Sequence, residues 1–263
     1  MQLAWLEYLS AFRNVTRQYR RSLFGISAVT FGVVALLLTA GFIEWIFWAG
    51  RDGAIKTGLG HVQVMRPGYL EGGQADPMSY LMPQNAEQME TIAHFPTVRT
   101  FAPRIAFNGL ISHGETTISF IGEGGIPEAE QQISEGMPIP AGQGLSSADL
   151  KGIVLGRGLA ENLGVKVGDT VVLLANTPTK GINAVECTVR GLFATTSKAY
   201  DDSALRVPLP IAQRLLRVSG SHRWVLLLDD DEHTAQTTRA LREKFQGSGL
   251  EFKAGDAAAG SFD

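Results

Sequence analysis

Three consecutive carboxylates, Asp229, Asp230 and Asp231, are the residues here with the plainest capacity for chemistry. Clustered carboxylates can hold a divalent cation. They equally suit a helix N-terminus, where they accept from unpaired N–H groups and offset the macrodipole. A helical pattern follows over 232–245, so capping is the reading adopted. The run Gly156-Arg157-Gly158-Leu159-Ala160 brings a nucleotide to mind. A dinucleotide fingerprint needs G-x-G-x-x-G/A after a strand, with an acidic residue about twenty positions on. Here the alanine comes one position early, the strand before it is short, and the acidic residue is missing. The glycines therefore read as turn and cap residues. His61, His94, His113, His222 and His233 share no metal-ligand spacing and read as ordinary loop or surface residues. Cys187 is the single cysteine. It makes neither an intrachain disulfide nor a structural zinc site, and it reads as a half-buried strand residue. Neither a G-x-S-x-G elbow nor a Walker motif occurs, so any use of ATP belongs to a partner. The sequence nominates no catalytic, cofactor-binding or metal-binding residue.

The elements that would position such groups divide sharply in character. Of 263 residues 44% are apolar, and the formal net charge is −3, which gives no general affinity for nucleic acid. Residues 22–43 carry no charge. As a helix they span roughly 33 Å, enough for a hydrocarbon core of about 30 Å. Trp45 and Trp48 follow as an interfacial belt. Arg13, Arg17, Arg20 and Arg21 precede the span, while Glu44 and Asp52 offset Arg51 and Lys56 beyond it. This bias places the N-terminus in the cytoplasm and the large domain outside. The apolar run is too long for a cleaved signal peptide and lacks a clear cleavage site, so it reads as an uncleaved anchor. Gly25, Ala28, Gly32, Ala35 and Thr39 form a stripe of small residues where another helix could approach. Residues 1–21 read as an amphipathic lead-in, with Trp5, Tyr8, Leu9, Phe12, Val15 and Tyr19 in one arc against the lipid surface.

Beyond residue 50 the pattern is that of a folded domain. A strand is expected at 61–66, then a helix at 85–95 with Asn85 as N-cap and Pro96 as its stop. Strands at 98–107 and 116–122 flank the turn signal His113-Gly114. The stretch 152–174 predicts a strand, a helix from about 159 ended by Gly164, a Gly168-Asp169 turn and another strand. A strand pair is expected on either side of Gly191, a buried strand at 224–228, and a last strand near 250–253. The fold class is α+β. One α/β domain is expected from 50–122 and 221–255, interrupted by a mainly β insert at 123–220, after a transmembrane helix at 22–49. Residues 256–263 read as a linker.

Several blocks, in one order, carry a resemblance: RNVTRQYRRSLFGISAVTFGVV (13–34), GHVQVMRPGY (60–69), VRTFAPRIAFNGLIS (98–112), IGEGGIPEAE (121–130), IVLGRGLAENLGVKVGDTVVLL (153–174), VRGLF (189–193) and DDSALRVPLPIAQRLL (201–216). In these the chain resembles the permease subunits of MacB- and LolC/LolE-type ABC transporters, with an FtsX-like membrane domain. The resemblance implies a non-enzymatic transport subunit in the bacterial inner membrane. It implies four spans, with a porter-like α/β domain and a β-rich insert between the first and second. It also implies two permease protomers, alike or paralogous, that pair with cytoplasmic ABC ATPases. ATP stays on those ATPases. The further partners implied are the lipid bilayer and a periplasmic carrier or membrane-fusion protein, and the cargo classes are lipoproteins, lipids or drugs. Three spans of that pattern would lie beyond Asp263, so the chain reads as the N-terminal part of a longer permease. The competing reading is a single-pass, membrane-anchored periplasmic sensor or adaptor module.

Overall fold

The structure, a computed structural model, describes residues 19–54, 58–73, 76–134, 137–179, 181–195 and 197–255. The lead-in at 1–18 and the linker at 256–263 lie outside the described residues. The chain forms two compact units, 1–52 and 53–263.

The first unit is dominated by α1 (Tyr19–Ala54). It starts before residue 22 and continues past 49, because neither flank carries a helix breaker. Its apolar stretch Tyr19–Ile46 is long and apolar enough to cross a membrane. Every side chain described from 19 to 46 is exposed except that of Ser22, of which nothing is described. That is the surface expected of a lipid-facing helix rather than a core helix. Along the small-residue stripe, Thr39 satisfies its hydroxyl by donating to the Ala35 carbonyl at 2.8 Å.

The second unit contains β1 (Val62–Met65), α2 (Tyr69–Gly72), a 3₁₀ turn (Pro77–Tyr80), α3 (Ala86–Ala93), β2 (Val98–His113), β3 (Thr116–Gly125), α4 (Pro127–Ile133), β4 (Ala141–Gly142) and β5 (Gly152–Gly156). It continues with α5 (Arg157–Leu163), β6 (Thr170–Asn176), β7 (Ile182–Phe193), α6 (Lys198–Asp201), β8 (Ala204–Pro208), α7 (Leu209–Leu216), β9 (Arg223–Leu228), α8 (Thr234–Lys244) and β10 (Glu251–Ala254). Strands β10, β1, β9 and the first part of β2 form an antiparallel sheet. Helices α3 and α8 cover one face. Ile92 and Leu241 pack there with Val62, Val64, Trp224, Leu226 and Phe252. The other face receives α4, whose Ile133 meets Ala102 and Val225. With both faces covered, β1 is buried along its whole length.

The second half of β2 leaves this sheet. It pairs with β3, β3 with β8, β8 with β5, β5 with β7, β7 with β6, and β6 again with β2. The ladder closes on itself as a six-stranded barrel, so these strands present no long free edge. Ile105, Phe107, Ile111, Phe120, Val171, Leu173, Val189, Leu205 and Val207 belong to one buried core, plugged by α5 and α7. The division expected between 122 and 123 therefore falls elsewhere. Pairing to β9 ends at Arg104 and pairing to β3 begins at Ile105. All of β3 belongs to the barrel, because it needs β8 as its second neighbour. The segment 123–220 supplies α4, α5, α6 and α7 as well as strands.

Local signals acted largely as their chemistry suggests. The Asn85 side chain accepts from the Gln88 N–H at 3.3 Å and caps α3. Gly164 ends α5 at φ 73°. Gly191 differs. No break occurs there, and β7 runs through it as one strand. A Cβ at Gly191 would collide with the backbone of Gln143 and, at 3.1 Å, with the Ala141 carbonyl. The glycine serves the close approach of β4, not a turn. The ladder also slips by one residue here, since Ile153 faces Val189 while Val154 faces Gly191. Gly191→Val should displace β4 and destabilise the outer unit by about 1–3 kcal/mol. Thermal unfolding followed by circular dichroism checks this, and an unchanged midpoint would refute the close-approach explanation.

Candidate functional site

The point where β2 changes sheets is occupied by charge. Arg104 is only 2% exposed. Its Nε donates to Glu130 Oε1 at 2.7 Å, its Nη2 to Glu130 Oε2 at 2.7 Å, and its Nη1 to the Gly58 carbonyl. The fork on Glu130 is a bidentate pair, the strong geometry for this combination. Glu123 takes a bond from Arg223 Nη2 at 2.6 Å and lies 3.7 Å from both Arg104 and Arg206. Arg206 is also 3.8 Å from Glu130. Burial alone would push the Glu123 carboxyl up, but Arg104, Arg223 and Arg206 outweigh it and hold the group well below the usual carboxylate range. Burial likewise opposes the Arg104 charge, and Glu123 and Glu130 more than restore it. Glu123 and Arg104 therefore stay ionised.

Strand geometry brings these residues together. Arg104 and Arg223 are register partners on β2 and β9, and Glu123 and Arg206 are partners on β3 and β8. Glu130 comes from α4, which crosses β2. Two cavities flank the cluster. One, of about 310 Å³, lies between α4, the segment after it and the barrel wall, with Glu123, Glu130, Arg206, Ser134, Met137 and Leu145 in its lining. The other, of about 420 Å³, is lined by Tyr69, Asn108, Ile121, Tyr200 and Arg223, with Glu123 again at its edge.

Beside the cluster, His222 closes the joint. β9 starts at Arg223, so Ala106 on β2 faces Glu123 of β3 on one side and has no strand partner on the β9 side. His222 Nδ1 accepts that N–H at 3.1 Å, and the His222 backbone N–H donates to the Arg104 carbonyl at 2.9 Å. The ring stacks on Tyr69 at 5.9 Å between centroids. Burial first, and then the nearby Arg223 charge, lower its pKa to about 4. His222 is therefore neutral at ordinary pH and acts as a backbone acceptor.

A family profile described as the MacB-like periplasmic core domain matches residues 22–244. The chain belongs to this family. The periplasmic region of MacB from Actinobacillus actinomycetemcomitans has the same fold, with a TM-score of 0.57 at 13% identity, covering 79% of this chain and 94% of that one. The extracellular domain of the noncanonic ABC-type transporter YknZ from Gram-positive bacteria gives 0.53 at 10% identity, covering 74% and 98%. A comparison with curated proteins found no match. The outer unit is thus a MacB-like core domain carried behind an apolar helix.

The residues singled out by type in the sequence are scattered over this MacB-like core. Asp230 accepts from the Glu232 N–H at 3.2 Å and so caps a 3₁₀ turn (Asp231–His233). The α-helix begins only at Thr234 and has no acidic residue in its first turn. Among the described residues no three metal-ligating groups converge. His61 and His222 are buried rather than superficial, and His61 Nδ1 accepts from the Leu228 N–H at 3.1 Å. Cys187 is fully buried in the barrel rather than half-buried, and burial pushes its thiol up to about 12, so it is inert. Gly156 and Gly158 lie against Asp201 and Asp202, where a side chain would collide. The charge cluster went unnoticed because its five members come from five separate segments. The one available signal was charge within apolar strand patterns, at Arg104 and Arg206.

Two outcomes test this joint. Arg104→Met should cost about 3–5 kcal/mol by stranding Glu130, and adding Glu130→Met should recover part of that loss in a double-mutant cycle. Strictly additive losses would show that the pair is not coupled. For His222, the folded pKa of about 4 lies below the reference 6.5. Its contribution is fully present above pH ~6.5 and is lost as pH falls toward ~4, amounting to about 3 kcal/mol. His222→Asn keeps an acceptor without titrating, and its stability between those pH values should fall less than that of the wild type by this amount.

Proposed function

We propose that this chain acts as a permease subunit of an ABC transporter, and that its outer domain is moved by ATP hydrolysis on a cytoplasmic partner. The observation that carries the reading is the extent of the family match. It begins at residue 22, inside α1, and runs to residue 244. Helix and outer domain are therefore matched as one unit, not as a generic anchor joined to an unrelated module. The lipid-facing surface of α1 and its stripe of small residues suit a helix that packs with other spans. The reading extends to a second permease protomer and to an inner-membrane setting with the N-terminus in the cytoplasm. The cargo would be released or handed over on the outer side, as a lipoprotein, a lipid or a drug. A barrel fused to a sheet offers a stiff body for transmitting such motion.

The deciding experiment is affinity purification of the tagged full-length product from membranes in mild detergent. The expected result is a stoichiometric partner with a Walker-type ATPase sequence whose turnover changes when the outer domain is held by an introduced disulfide. Purification of the protein alone, or with an ATPase indifferent to that clamp, would favour the anchored sensor or adaptor instead.

A further inference from the structure

The 310 Å³ cavity beneath α4 is chemically uneven. Met137, Ile139, Leu145, Val154 and Val207 make most of its wall, and Arg206, Ser134 and the two glutamates make its polar end. Arg206 stands apart from its neighbours. Arg104 and Arg223 take the short bonds to the carboxylates, at 2.7 and 2.6 Å. Arg206 keeps only ion-pair contacts of 3.7 and 3.8 Å. Among the described residues four buried side-chain atoms lack a hydrogen-bond partner: Arg206 Nε, the Ser134 hydroxyl, Arg223 Nε and His222 Nε2. Buried donors left unmade are costly, and each one calls for an acceptor. The cluster also sets three guanidiniums, from Arg104, Arg206 and Arg223, against two carboxylates, from Glu123 and Glu130. One positive charge is left over. Two of the four unpartnered atoms, on Arg206 and Ser134, belong to residues lining this cavity, and the charge excess has the sign that suits an acceptor-rich head group.

We propose that this cavity is a binding site for a single-chain organic anion, with its carboxylate at Arg206 and Ser134 and its short apolar body against Ile139, Leu145 and Val154. Size fixes the class. At roughly 30 Å³ per non-hydrogen atom, the share of a liquid water molecule, the cavity holds about ten such atoms. That accommodates one short chain and excludes a two-chain phospholipid. The volume sits at the lower end of the about 300–1,000 Å³ typical of small-molecule sites, and an apolar lining with a few convergent polar groups is their usual character. The site stands independently of the transport reading, since it requires only the outer domain.

Carboxyl-labelled octanoate, with about ten non-hydrogen atoms, is the probe, titrated by carbon NMR into the full chain in lipid nanodiscs, with empty nanodiscs as the baseline for partition into lipid. Octanol supplies the same tail without the charge. Arg206→Met removes the proposed anchor. Gly144→Leu fills the wall from an exposed position, where a Cβ would meet only the Ile139 Cδ1 at 3.4 Å and the Gln131 amide at 3.8 Å. That variant leaves the ion cluster untouched and carries the test alone where Arg206→Met does not fold. The expected result is saturable octanoate binding, at least about tenfold weaker in either folded variant and at least about tenfold weaker for octanol. The proposal is overturned by a signal no greater than that of empty nanodiscs, by octanol binding as tightly as octanoate, or by binding unaffected by Gly144→Leu. Displacement of the labelled octanoate by a short-chain phosphatidylglycerol would assign the site to a lipid head group and overturn it too.

Discussion

A single strand serves two sheets, and the residue at the crossing is a buried arginine. β2 spans 16 residues, about 50 Å of extended chain. Up to Arg104 it belongs to the antiparallel sheet, and from Ile105 to the barrel. At that point the ladder to β9 ends and the ladder to β3 begins. The Arg104 guanidinium adds a side-chain constraint at the change by binding Glu130 on α4 and the Gly58 carbonyl together. Buried ion pairs are not generally more stabilising than apolar packing of the same volume, because desolvation offsets most of the attraction. Their geometry is what matters here. A one-residue slip of β2 would turn Arg104 to the opposite face and leave a buried charge unpaired, a state far less stable than the native one.

The barrel follows from the same crossing. Its parallel pairs, β3 with β8 and β5 with β7, join strands far apart in sequence and require crossovers. With α5, α7 plugs the closure, and its Ile211, Ala212, Leu215 and Leu216 are buried in the barrel core. His222 then accepts the Ala106 N–H on the side where β9 has ended. Charge, histidine and closure are one solution to a single geometric problem.

What could be read in the sequence was local. The cap at Asn85, the stop at Gly164 and the turns at Gly114 and Gly168 each depend on neighbours within a few residues, and each is where its chemistry suggests. The apolar span needed only composition and length. The closed barrel could not be read, because closure is a statement about pairing partners, and alternation along β6 or β7 is the same in an open sheet. Gly191 was misread for a related reason. Its absent side chain answers to Gln143 and Ala141, some fifty residues away, rather than to its own backbone. The cluster was hidden likewise, since Arg104, Glu123, Glu130, Arg206 and Arg223 are each ordinary charged residues until register sets them side by side.

The placement of this joint bears on how the outer domain can move. A hinge between two halves of a domain is a place of few contacts and absorbable dihedral change. The boundary at 104 and 105 has neither property. A continuous strand crosses it, five charged side chains are locked across it, and the stacked His222 accepts the Ala106 N–H. Bending there would separate ionised groups in a poorly solvated setting, at a cost well above that of flexing an exposed loop. The sheet and the barrel therefore move as one body. The chain enters this body at β1 and leaves it at β10, both strands of the sheet. Displacement of the whole outer unit, not rearrangement within it, is the motion that this construction favours.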